Sequence, residues 1–268
     1  MTATERAPVA AGGPSSAPSP SPSPPPREGP IVDRGTVRRD EVRARDWVLH
    51  GIAKVVGGAD VGGAELDGTA VVGGPFRADR LAVVGSLDAR STVTVAHRLT
   101  VHGSVDAGGA VHAGEASFRG VARLGADLVV DATLAVRGQL HASSVRCGTL
   151  ELRGTATVPG PVVGTAIDVD LVADSAIGSI QCRELRLRGP APSLVQRMFG
   201  NPPVATVERV EAETVRIEEA RVRFVRAARI FLGRNAHVAT LEGQVVRAHS
   251  SSRVGPESWS RPPQGLSR

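Results

Sequence analysis

The side chains able to do chemistry are few, and they are scattered. A chain of 268 residues carries seven histidines, two cysteines and 27 acidic residues. His97, His102 and His112 are close in sequence, but they fall at different positions of the repeat set out below. They therefore read as exposed strand residues rather than metal ligands. Cys147 and Cys182 share one inward repeat position, two repeats apart. Stacked strands lie about 4.8 Å apart, which separates the thiols by roughly 9–10 Å. A disulfide needs Cα atoms within about 7 Å, so both read as buried free thiols that act as small hydrophobes, in keeping with a reducing compartment. No P-loop is present, no GxGxxG opens a helix, and there is no nucleophile elbow. Asp60 beside Gly62-Gly63 echoes calcium-binding β-roll repeats without their nonapeptide period. Glu218-Glu219 is a carboxylate pair on a charged face that does not recur as a substrate cleft would. No catalytic residue, cofactor or metal is expected.

One polar pattern does recur. Arg119, Arg137, Arg153 and Arg188 each stand immediately before a glycine, in a column that also contains His50, Asp67, Val84, His102 and Asp170. If the repeats stack, these arginines lie above one another, and like charges facing each other on a sheet repel. Nearby acids, solvent screening or an anionic partner must compensate. A docking strip for an acidic protein, phospholipid headgroups or a cell-wall polymer is one reading. Nucleic acid is not expected, because no aromatic residue is interleaved to stack on bases.

The elements that would position this column follow from its period. Gly51, Gly68, Gly85, Gly103, Gly120, Gly138 and Gly154 recur every 16 to 18 residues. Two residues before them stand Leu49, Leu66, Val83, Val101, Phe118, Val136 and Leu152, and four before stand Trp47, Ala64, Leu81, Leu99, Ala116, Leu134 and Leu150. A second apolar column follows each glycine by seven or eight residues: Ala59, Phe76, Val93, Val111, Leu128, Val145 and Val162. Alternation with period two marks strands, and a constant short repeat marks a solenoid in which each turn buries its apolar face on the next. The predicted fold is all-β: a parallel β-helix of about 17–18 residues per rung. A β-sandwich also has many short strands, but nothing in it requires a constant rung length. Aromatic residues make up 3% of the chain and tyrosine is absent, so small and β-branched residues must fill a narrow core.

The organisation along the chain follows. Residues 1–34 form a Pro/Ser-rich tail, expected to be disordered. Residues 35–189 form the regular body, with charged residues 35–46 leading into Trp47 at the first rung. Residues 190–203 interrupt the beat as an inserted loop whose Met198 and Phe199 are candidates for binding a partner. Residues 204–248 resume as irregular, more charged rungs, and 249–268 form a second disordered tail. The charge is +5 at neutral pH, nearly all of the basic residues being arginine. No stretch approaches the ~18 apolar residues of a membrane span, and the N-terminus lacks the apolar core of a signal peptide. A cytoplasmic protein, free or peripheral at the inner face of the membrane, is the expectation.

With these columns in place, the body resembles the bactofilins, polymer-forming bacterial cytoskeletal proteins. The resemblance rests on the phrases LAVVGSLDA at 81–89, LTVHGSVDA at 99–107 and LAVRGQLHA at 134–142, on the Pro-rich flanks and on VRIEEARVRFVRAARIFLG at 215–233. It covers residues 35–248. It implies a right-handed, three-sided β-helix that assembles end to end, without nucleotide, into a scaffold recruiting envelope or membrane-associated morphogenetic partners, and it brings no catalytic residues. Open end rungs would mediate such assembly, with Trp47 at one end and Phe224, Ile230 and Phe231 toward the other. The insertion and the charged last segment leave a capped monomer as the alternative, a binding module that uses the arginine stripe and the 190–203 loop. A β-helix acyltransferase or polysaccharide-acting enzyme is the remaining class. Its cleft of carboxylates or aromatics is not legible in the columns.

Overall fold

A computed structural model describes residues 27–190 and 204–256. Fourteen strands form one sheet in which sequential strands are neighbours, and every pairing is parallel. The described chain winds into a β-solenoid of about 12 turns. At ~4.8 Å per turn it is roughly 55–60 Å long.

A turn is easily read in β2 (Val42–Val55). Its buried residues are Val42, Ala44, Trp47, Leu49, Ala53 and Val55. They fall in three pairs spaced two apart, separated by outward residues at 45–46 and 50–52. Each pair lines one short flat side, so the tube is three-sided. The same six inward positions recur in β3 (Ala59–Val72), β4 (Phe76–Ala89) and β5 (Val93–Ala107), in exact register for most of their length.

Between the second and third sides the chain turns at glycine. Gly35, Gly51, Gly68, Gly85, Gly103, Gly120, Gly138 and Gly154 stack directly on one another. From Gly51 onward φ lies between 124° and 146°, a region that residues with a Cβ rarely adopt. A Cβ there would also meet the carbonyl oxygen of the preceding glycine at 1.9–2.3 Å. The glycine beat is thus a steric demand of the corner. It stops where Leu171 takes the glycine's place opposite Gly154, and the last turns round their corners with Glu219 and Asn235 at φ 53° and 50°.

The core is aliphatic, and its three buried rings among the described residues sit where neighbours are small. Ala59 and Ala64 of β3 leave space that Trp47 fills from one side and Phe76 from the other, with ring centroids 6.3 Å apart. Phe118 lies between Val101 and Val136. This is close packing by matching large with small.

Two expected boundaries move. The solenoid begins earlier than Trp47: β1 (Ile31–Arg39) pairs with β2 in full register, so Trp47 lies one turn inside the end. The N-terminal tail therefore gives up residues 31–34. At the other end β14 (Arg253–Val254) pairs with His237 and Val238, so strand continues past 248. The 190–203 insertion falls almost wholly outside the described residues.

Candidate functional site

The two ends of the solenoid differ in chemistry. At the N-terminal end the inward position two before the glycine is held by Asp33, where every later turn has an aliphatic or aromatic residue. Asp33 is 5% exposed and accepts hydrogen bonds from Trp47 Nε1 at 3.0 Å and from Arg39 Nε and Nη2 at 2.9 and 2.6 Å. The Arg39 guanidinium holds the carboxyl below its ordinary range; burial opposes this and the Trp47 indole adds to it. The spacing Ile31-x-Asp33-x-Gly35 repeats Leu81-x-Val83-x-Gly85, so the plug was visible in the sequence to an eye willing to let an acid occupy a core column. Arg27 straps the outside by donating to Asp60 and Asp79, two and three turns on. Exposed Arg34 and Arg38 charge the outer edge of β1, a recognised way to keep an edge strand from pairing.

Among the described residues the C-terminal end has no such plug. β12 (Arg221–Leu232) is covered by β13 (His237–Ala248), and the described pairing on the far side of β13 is at His237 and Val238. Beyond those residues its edge carries Val245 at 43% and Val246 at 51% exposure, and Val254 of β14 is 56% exposed. Leu241 is packed on the core but only half-buried.

The residues expected to make the ends are therefore placed differently. Trp47 is fully buried beneath β1, and Ile230 is fully buried beneath β13. Phe224 and Phe231 lie on the outer wall, half-buried under Arg209 at 4.8 Å and Arg216 at 5.6 Å, each pair facing across adjacent turns. The open surface belongs to β13 and β14, whose alternation is broken by register shifts after Ala227 and Ile230. Those shifts hid it from a fixed-period reading.

The arginine column is real in space. His102, Arg119, Arg137 and Arg153 face one another on successive turns. Arg188 is set apart: Asp170 intervenes, and Arg188 pairs with Glu218 at 3.5 Å. It belongs to a mixed-sign groove lined by Arg153, Asp168, Asp170, Arg186 and Glu218. Met198 and Phe199 lie outside the described residues. Compared with known proteins, the chain matches no family model, no curated protein and no solved structure. The site must be read from its own geometry.

Both cysteines are free thiols on the inward column. Burial pushes Cys147 up to about 11 and Cys182 up to about 12, so neither is a thiolate at neutral pH and neither is primed for nucleophilic work. Among the described residues no three His, Cys, Asp or Glu side chains converge as a metal site would require, and no helix is long and apolar enough to cross a membrane.

Proposed function

We propose that this protein is a non-enzymatic scaffold of the bactofilin type, and that it associates with itself through the C-terminal end of the solenoid without nucleotide. The observation that carries the reading is the contrast between the ends. A parallel strand that, among the described residues, is left unpaired beyond Val238 and carries exposed valines offers backbone donors and acceptors to a second chain. The opposite end is closed by a buried acid and charged at its rim. The resemblance of the glycine-punctuated body to bactofilins supports the same reading.

Pairing through one end only is isologous and closes on itself. The scaffold is then a two-fold pair of rods, with the N-terminal turns at its outer ends. Sedimentation velocity of the full chain and of a Val245→Glu/Val254→Glu variant tests this. Wild type sediments as a dimer and the variant as a monomer with an unchanged circular dichroism spectrum. A monomeric wild type at all concentrations, or a variant that still dimerises, refutes it.

A further inference from the structure

Many charges facing each other across adjacent turns are opposite: Arg98 meets Glu115, Arg223 meets Glu208 and Arg226 meets Glu242. Like charges also meet in twos, as at Arg38 and Lys54, Arg80 and Arg98, and Asp88 and Asp106. Arg119, Arg137 and Arg153 extend this to a run of three. They stand in line on three consecutive turns, about 4.8 Å per step, all exposed and with no ion pair among the described residues. Like charges so placed destabilise the wall; beside Arg119 and Arg137 stand Ser117 and Ala135 on one side and Val121 and Gln139 across the glycines, while Arg153 has Glu151 in its own strand and Asp170 facing it on the next turn.

A second observation falls on the same corner. Three large aliphatic residues are exposed along it: Ile52 at 51%, Val84 at 55% and Val172 at 64%. Val84 shares the arginines' column, while Ile52 and Val172 follow the corner position. The corner of a three-sided tube is convex and, because the turns stack in register, straight. It offers neither a groove along its length, the mixed-sign groove opening at its Arg153 end, nor, among the described residues, an exposed ring on which a base could stack. A flat anionic surface needs neither. It takes guanidinium groups among its phosphates and aliphatic side chains at the headgroup boundary.

We propose that this glycine corner, centred on Arg119, Arg137 and Arg153, lays the solenoid lengthwise on an anionic lipid bilayer. Asp67 limits the contact toward one end, and Glu151, Asp168 and Asp170 limit it toward the other. The corner is remote in sequence from the C-terminal edge, so the proposal stands independently of end pairing.

Vesicle flotation of the full chain tests it, comparing phosphatidylcholine vesicles with vesicles that also contain phosphatidylglycerol. Wild type floats only with the anionic vesicles. Arg119→Gln/Arg137→Gln/Arg153→Gln lowers the partition coefficient by about 100-fold, since each arginine near an anionic surface contributes about fivefold. Removing mutual repulsion leaves its melting temperature equal or higher. Val84→Ser/Val172→Ser weakens binding less, and Arg98→Gln, which breaks a satisfied pair, leaves it unchanged. The proposal is overturned if wild type ignores anionic vesicles, if the triple variant binds them as wild type does, or if wild type binds soluble polyglutamate in preference to vesicles.

Discussion

Asp33 is the residue whose chemistry decides the N-terminal end. Its carboxyl is buried, and its folded value is depressed by Arg39. A depressed acid stabilises the fold above its ordinary value of 3.8, and that contribution is lost as pH falls through the folded value. Asp33→Asn keeps the shape and removes the charge. It is expected to cost about 1–3 kcal/mol, read as a lower urea midpoint at pH 7 and a smaller loss of stability between pH 4 and pH 2 than wild type shows. His237 sets a different window at the far end. Burial, then Arg221 and Arg253, lower it from 6.5, and its Nδ1 is buried without a hydrogen-bond partner among the described residues. The neutral ring is the form the fold accepts, so its contribution is present above pH 6.5 and is lost as pH falls below. Hydrogen-exchange protection factors, which correct for the slower intrinsic exchange at lower pH, are expected to fall in 237–248 between pH 7 and pH 5 while those of 42–55 hold. Equal protection of 237–248 at both pH values would contradict this.

At the scale of the element, the turn is held by its corner and its fill. Gly103→Ala sets a Cβ against the Gly85 carbonyl oxygen at 2.0 Å with φ at 134°. The strain alone is about 1–3 kcal/mol, and the melting temperature should fall more than for Ser104→Ala in the same turn. Phe76→Ala removes a ring that spans the space left by Ala59 and Ala64, a loss of about 3–5 kcal/mol measurable by denaturant unfolding. Ala64→Leu in that background refills part of the void, so the double variant is expected to be more stable than Phe76→Ala alone. The sequence announced these elements well, because the corner tolerates only glycine and inward positions alternate strictly through 42–158. It announced the ends poorly. Asp33 disguised a core position as a polar one, and in the last turn Val245 stacks on buried Ile230 yet is exposed, because β14 covers only the start of β13, while a register shift leaves Val246 unopposed.

For the whole molecule, the shape makes ends and edges the places where function can reside. Among the described residues, the inner turns of a tube about twelve turns long are paired on both sides apart from register shifts, and the terminal turns are where edges are left, one of them holding a buried acid and charged at its rim. The arginine line was legible in the sequence because it rides on the glycine beat, and so was Asp170 between Arg153 and Arg188; the Arg188–Glu218 pair was not, since it spans the 190–203 interruption of that beat. The most direct test of the account is negative-stain electron microscopy of the full chain at physiological salt without nucleotide. One-ended pairing predicts uniform rods about twice the single-solenoid length, roughly 110–120 Å at ~4.8 Å per turn, which shorten by half in Val245→Glu/Val254→Glu. Rods of single length in the wild type, or filaments that grow without limit, would contradict it.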